Sequence, residues 1–352
     1  PPPKIRKSNF SMSFIAASLF DLTAWNHALA SRYCKMRPAR KPTGEPDCKR
    51  SACSSKPILT IDFAEAATEQ ETILMTNGLN MPEATAFISI DGIKVRTVST
   101  KHVQGIPILL TAPWPESIFA FNLVWERISK LGPLTAVDLP GFGMSEGRAD
   151  LMSPHAMGDF VIRIMDAFDI ERAHVVAPDV GTLAVLYAAS RHGERFESIV
   201  GGSGGTSEQL FGESLRQIMA SSKSDFADFD GGTRVYELIK TTARVAVPEV
   251  ILQDYKNSSD GQRWNEAADF VRAYKEDLPI LAGLLPSIQT PTLVISGKDD
   301  PIVPPANGQF LADRLPHCRA EVVDAGHFVW EDAAVTYADL VSKWISGDYK
   351  MV

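Results

Sequence analysis

From about residue 84 onward, short β-branched apolar runs alternate with longer stretches of helical periodicity. That alternation limits the fold more than any other feature of the chain. Strands are expected at Thr85–Ile90, Lys94–Ser99, Pro107–Thr111, Leu134–Asp138, His174–Ala177, Ser198–Gly202, Thr292–Ser296 and Ala320–Asp324. The first two flank Asp91-Gly92, a dipeptide that tolerates the backbone of a tight hairpin turn. Runs such as Ile108-Leu109-Leu110 and Leu293-Val294-Ile295 are apolar at every position, as in strands covered on both faces. Helical patterns fill the gaps at about 116–130, 154–168, 181–192, 306–315 and 333–346. A hairpin followed by strand–helix units predicts an α/β fold, a mostly parallel eight-stranded sheet with helices on both faces.

Residues 207–285 break the alternation with helical periodicity, several aromatics and no strand pattern. We expect a helical cap at 206–285, inserted between core halves at 84–205 and 286–352. Such an insertion lies over the carboxyl ends of the strands, where open α/β sheets bind ligands. Gly201-Gly202-Ser203-Gly204-Gly205 lacks the Lys and the spacing of a phosphate loop. It is expected to be a flexible hinge into the cap.

Charge is divided along the chain. Residues 1–57 hold eleven Lys/Arg and three Asp/Glu, although the whole chain has a net charge of −8. The remainder is therefore acidic, which argues against a general nucleic-acid binder. The 1–57 tail is expected to be a disordered or artefactual extension, with a targeting segment as the alternative; residues 58–83 are a linker. No run of about 18 apolar residues occurs, so no membrane span is expected. Cys34, Cys48 and Cys53 lack Cys-x-x-Cys spacing and a matching His pair, so no metal site is expected. Cys318 is the one cysteine of the body, in keeping with a reducing, cytoplasmic setting. No cofactor motif is present. The expected partner is a small-molecule substrate, and the expected assembly a monomer or homodimer.

Three loops carry candidate chemistry. In His174-Val175-Val176-Ala177-Pro178-Asp179-Val180-Gly181 a strand enters a tight turn flanked by small residues, and an Ala/Leu-rich helix follows. This is a strand–elbow–helix pattern with Asp179 at its apex. An ordinary N-cap Asp is the competing reading. In Ser296-Gly297-Lys298-Asp299-Asp300-Pro301 a strand ends in a loop with two carboxylates. In Asp324-Ala325-Gly326-His327-Phe328 another strand ends at a His. Each lies at the carboxyl end of an expected strand, so all three converge on one sheet edge in the order nucleophile, acid, base.

With these segments in hand, residues 84–350 resemble the α/β-hydrolase family. Asp138-Leu139-Pro140-Gly141-Phe142-Gly143-Met144-Ser145, Gly297 to Pro304, and Gly326-His327 carry the resemblance. An Asp at the elbow resembles the branch containing epoxide hydrolases, haloalkane dehalogenases and haloacetate dehalogenases. The resemblance implies Asp179 as nucleophile, His327 as base and Asp300, just before Pro301, as orienting acid. It implies an oxyanion hole from the N–H groups of Val180 and Trp114. The family writes His-Gly-x-Pro where this chain has Ala112-Pro113-Trp114-Pro115, with Pro115 a candidate cis residue.

A carboxylate is ionised at neutral pH without a base. It suits attack on an sp³ carbon bearing a leaving group, giving an alkyl ester that water must then hydrolyse. Haloalkane dehalogenases place Trp after the nucleophile and haloacetate enzymes place Arg; this chain has Val180. Epoxide hydrolases protonate the ring oxygen with cap tyrosines, and the insertion offers Tyr236, Tyr255 and Tyr274. These, with Trp114 and Trp264, are the candidate substrate-binding residues. Epoxide hydrolysis is the leading expectation and dehalogenation the alternative. A ligand-binding protein without catalysis is the reading from another class.

Overall fold

The computed structural model describes residues 79–82, 85–100 and 104–352. The basic tail, Cys34, Cys48 and Cys53, most of the 58–83 linker, His27 and His102 lie outside the described residues. Eight strands form the sheet: β1 (Ala86–Ile90), β2 (Ile93–Ser99), β3 (Ile108–Thr111), β4 (Leu134–Val137), β5 (Ala173–Val176), β6 (Phe196–Gly201), β7 (Thr292–Gly297) and β8 (Cys318–Val323). Their spatial order is β1-β2-β4-β3-β5-β6-β7-β8. β1 and β2 pair antiparallel across Asp91 and Gly92, both at positive φ, and β2 pairs antiparallel with β4. The other neighbours pair parallel. All eight expected strands are therefore present, with ends moved by one or two residues.

Burial explains the all-apolar runs. Every residue of β3, β4 and β5 is buried. Each such Leu, Ile or Val contributes about 1.5–3 kcal/mol relative to an exposed one. The helix Pro154–Ala167 starts at Ser153, whose hydroxyl accepts the Ala156 N–H, with Pro154 in the first turn. It buries Met157, Phe160, Val161, Ile164 and Met165, a stripe at helical spacing. The helices Val180–His192, Ala306–Ala312 and Ala334–Ser346 also match their expected segments. The 116–130 stretch does not form one helix. It is a 3₁₀ turn, Ile118–Phe121, and a single helical turn, Trp125–Ile128. Ser117 caps the 3₁₀ turn and the Ile118 N–H donates to Asp138 Oδ1, so a tertiary contact overrides local periodicity.

Between β6 and β7 the described chain forms helices joined by loops and no strand, from Glu208–Leu210 to Leu285–Ser287. Gly201-Gly202-Ser203-Gly204-Gly205 leads into this segment and is buried throughout, not a flexible hinge. Gly202 has φ +140°, and a Cβ there would lie 1.8 Å from Ile295 O. Gly202 serves close packing against β7, while Gly204 abuts Asp179 and Thr182 and Gly205 abuts Phe211 and Leu215.

An ionic cluster ties the helical segment to the sheet. Arg96 of β2 bonds Asp138 Oδ2 at 2.5 Å and both oxygens of Asp254 at 2.6 and 2.9 Å. Ser117 Oγ also donates to Asp254, which sits in the helix Glu249–Ser258. Asp138 is fully buried and accepts the Ile118 and Met144 N–H groups as well. Removing the cation would strand two carboxylates. Arg96→Met should therefore cost roughly 3–5 kcal/mol, read as a lowered urea midpoint; a loss within the range of an exposed salt bridge, under about 1 kcal/mol, would refute the clamp.

Candidate active site

The three singled-out loops meet at the carboxyl edge of the sheet. After β5 the chain turns at Asp179, with φ 53° and ψ −124°, directly into the helix Val180–His192. A non-glycine residue in this region is strained and persists only when its surroundings hold it. The Asp179 N–H donates to Gly202 O, and Thr182 Oγ1 donates to Ala177 O while accepting the Gly202 N–H. Gly181 is required by contact: a Cβ there would lie 2.2 Å from Thr111 Oγ1. Asp179 makes no side-chain capping bond to the helix. It is not an ordinary N-cap.

The freed carboxylate looks the other way. Its Oδ2 accepts the Trp114 N–H at 2.8 Å, next to a cis Trp114–Pro115 peptide. The Val180 N–H also acts on it as a hydrogen-bond donor. Its Oδ1 lies 3.7 Å from His327 Nε2. Burial pushes the Asp179 carboxyl above its ordinary range, while His327 and the two N–H groups pull it back.

His327 follows β8 and is buried. Its Nδ1 is 2.8 Å from Asp300 Oδ2. Asp300 Oδ1 accepts the Ile302 and Val303 N–H groups, each at 2.8 Å, which fixes the carboxyl plane. Burial pushes the imidazole down, but Asp300 and Asp179 overcome this and raise it above the ordinary His value. Asp299 instead faces Arg244 at 3.1 Å, so geometry selects Asp300 of the adjacent pair. This arrangement can hold an ionised carboxylate, a basic nitrogen and the Trp114 N–H donor around one point, with the Val180 N–H beside the carboxyl.

A cavity of about 730 Å³, its mouth included, opens onto Asp179 and His327. Its walls are mostly apolar, with Leu215, Ile218, Leu238 and Val271 from the helical segment and Ile302 and Val303 from below. Trp114, Trp264 and Tyr274 line it as expected. The Trp114 and Trp264 rings lie 5.3 Å apart. Tyr274 is braced by Phe211 and Phe270 at 6.0 and 5.8 Å. Its hydroxyl has no hydrogen-bond partner among the described residues. Burial and the Asp179 charge hold its pKa well above the ordinary phenol value.

Two expected binding residues lie elsewhere. Tyr236 sits between helices of the cap segment, its hydroxyl on the Glu249 carboxylate at 3.0 Å. Tyr255 is fully buried, its hydroxyl on Glu331 Oε1 at 2.8 Å. Neither lines the cavity. The other described histidines are also outside it. His174, for example, bonds Ser198 at 2.8 Å, and burial pushes it down to about 4.

Sequence reading missed Glu116 and Glu331. Both are buried behind the cavity, and each carboxyl is raised by burial, Glu331 to about 7. The signal was an acid at the end of Phe328-Val329-Trp330, an otherwise apolar run. Among the described residues, no group of three or more His, Cys, Asp or Glu is placed to hold a metal ion. No helix there is long and apolar enough to cross a membrane.

Known proteins share this arrangement of strands and helices. The chain is similar to a pimeloyl-(acyl-carrier protein) methyl ester esterase of Neisseria meningitidis, 26% identical over 252 residues, or 68% of this chain and 93% of that one. It is also similar to a 2-hydroxymuconate semialdehyde hydrolase of Pseudomonas sp. strain CF600, 27% identical over 277 residues, 76% of this chain and 95% of that one. The crystal structure of the enol-lactonase from Burkholderia xenovorans LB400 shares the fold with a TM-score of 0.63 at 20% identity, covering 74% of this chain and all of that one. These names speak of ester, semialdehyde and lactone chemistry, not of epoxides or halides. The model of the alpha/beta hydrolase fold family matches residues 133–334, and the chain belongs to that family.

Proposed function

We propose that this hydrolase opens a small, largely apolar epoxide through an alkyl ester on Asp179. The observation that carries this reading is what occupies the oxyanion position. A serine esterase keeps its two N–H donors open for the carbonyl oxygen of the substrate. Here the Trp114 N–H is already on Asp179 Oδ2. The nucleophile's own oxygen fills the position, and Oδ1 remains free to attack. That geometry suits displacement at a tetrahedral carbon better than addition to an acyl group.

Oδ1 attacks a ring carbon and the C–O bond opens. The departing oxygen takes the Tyr274 proton, a role that fits a phenol held protonated beside the site. The ester carbonyl oxygen is Oδ2, still held by Trp114, with the Val180 N–H beside the carboxyl. His327, oriented by Asp300, takes a proton from water, and the hydroxide adds to Cγ. The charge on Oδ2 meets the same two donors. Collapse expels the second alcohol oxygen, which takes the proton from His327. The carboxyl left on Asp179 ionises, and Tyr274 regains a proton. Carbon–halogen cleavage would use the same ester. It needs a donor for the halide, and Val180 offers only an apolar side chain there.

Three measurements test the ester and its acid. In His327→Gln the second half-reaction should stall, and a mass spectrum should show one substrate mass added to the Asp179 peptide; a turned-over epoxide that leaves no adduct defeats the ester mechanism. In a single turnover in ¹⁸O water, the label should enter Asp179 and not the product. Tyr274→Phe should lower kcat on epoxides by about 10²–10⁴-fold, the usual range for general acid catalysis. On substrates with a better leaving group it should cost far less; an equal loss on both would remove Tyr274 from the acid role.

The pH dependence has a definite sign. His327 acts only when neutral, and its pKa is raised, so kcat should fall as pH drops through a value above the ordinary imidazole pKa. Asp300→Asn removes the carboxylate that raises it. That limb should move to lower pH while kcat itself decreases. A limb that stays in place would separate Asp300 from the base.

A further inference from the structure

Behind Asp179, three separate parts of the chain meet at two buried carboxyl groups. Glu116 follows Trp114 by two residues, in the loop that supplies an N–H to Asp179. Glu331 lies four residues after His327, on the turn Val329–Asp332. Trp330 Nε1 donates to Glu116 Oε2 at 3.0 Å. Tyr255, from the helical segment, donates to Glu331 Oε1 at 2.8 Å. Each carboxyl thus has one oxygen satisfied by a neutral donor. The remaining two, Glu116 Oε1 and Glu331 Oε2, are buried and receive no hydrogen bond from any described donor. The two side chains lie within hydrogen-bonding reach of each other.

Two ionised carboxylates in contact inside a protein repel strongly, and unsatisfied buried oxygens are costly. One proton between the two groups resolves both problems. We propose that Glu116 and Glu331 share a single proton, and that this acid–carboxylate bond staples the Trp114 loop to the His327 loop as a positioning pair for Asp179 and His327. Neither Glu touches the cavity, so neither is a catalytic residue. The pair sets how far the N–H donor stands from the imidazole. Tyr255 extends the staple into the helical segment, so the cavity roof is held by the same proton.

The charged and polar groups facing the pair are few. Trp330 and Asp332 face it from its own turn, Tyr255 from the helix Glu249–Ser258, and Asp179 from the elbow. Asp254 acts on Tyr255 from the same helix. Loss of the shared proton would put a second negative charge beside Asp179 and force the two loops apart. The consequence is an alkaline limb in the kcat profile, falling about tenfold per pH unit beyond that ionisation. Tyr274, also protonated in the proposed mechanism, is held well above the ordinary phenol value, and a limb from its ionisation would remain in both Gln variants.

The test uses Glu116→Gln and Glu331→Gln, made separately in the full chain. In either variant the amide oxygen keeps the Trp330 or Tyr255 bond, and the amide N–H replaces the shared proton permanently. Infrared spectroscopy of the unmodified protein at neutral pH should show a protonated-carboxylic-acid carbonyl band that is lost in both variants. Absence of that band, or its persistence in both variants, overturns the shared proton. For the positioning role, the alkaline limb should be present in the unmodified enzyme and absent from both Gln variants. A limb identical in all three proteins overturns it. The positioning arm rests on the Asp179 ester reading. The infrared arm does not, because an acid band can be measured even if His327→Gln accumulates no ester.

Discussion

The hydrogen bond from the Trp114 N–H to Asp179 Oδ2 is the contact on which the site's geometry turns. It requires Asp179 to leave the helix it begins, which only the strained elbow permits. The elbow in turn requires Thr182 to pin the turn and Gly181 to press against Thr111. These demands end at the ordinary α/β core. β3 and β5 are hydrogen-bonded neighbours, so the loop after one and the elbow after the other are delivered to the same place. Buried apolar strands provide the rigidity, and the short loops beyond them hold the polar atoms.

The second constraint is charge. Asp179, Asp300, Glu116 and Glu331 are all buried, and one imidazole lies among them. A dry interior cannot hold that many bare carboxylates. Each is handled differently. Asp300 accepts two backbone N–H groups and the His327 ring. Asp179 has the Trp114 N–H on one oxygen and the ring near the other. The glutamates have a neutral donor apiece and, in the proposal, a proton between them. Farther out, Arg96 neutralises Asp138 and Asp254. Negative charge can thus remain mobile near Asp179 while Arg96 fixes it at Asp138 and Asp254.

Much of this was legible in the sequence because its signals are local. A strand buried on both faces reads as a near-continuous apolar run, as Ile108-Leu109-Leu110 in β3 and Leu293-Val294-Ile295 in β7 do. The elbow, the Gly-His loop and the acid before Pro301 each sit where a strand runs out, so their convergence follows from the topology. Other features depend on contacts distant in sequence. Periodicity cannot tell that Asp138 breaks the 116–130 helix by taking the Ile118 N–H. It cannot tell which cap tyrosine faces the cavity either. Tyr236, Tyr255 and Tyr274 have similar local surroundings, but Glu249 and Glu331 claim the first two hydroxyls. Tyr274 is left because no acceptor among the described residues bonds its hydroxyl. The glutamate pair is the same lesson in reverse, since residues 215 positions apart in the chain become partners only through the fold.

The relatives are named for ester, semialdehyde and lactone chemistry, and the proposed epoxide chemistry asks something different of the same fold. In the proposed mechanism the fold supplies the same three things to either chemistry: an apex residue, a base and two N–H groups. An oxygen hydroxyl at the apex leaves the donors open, so a planar carbonyl can enter and become tetrahedral against them. A carboxylate at the apex brings its own carbonyl. The planar carbon that must become tetrahedral is then Cγ of the enzyme, and the donors are pre-positioned on it before substrate arrives. The substrate is released from any need to be an acyl compound. It need only present an sp³ carbon to Oδ1 and a leaving oxygen to the phenol, while its remaining bulk is accommodated by apolar walls that ask for nothing else.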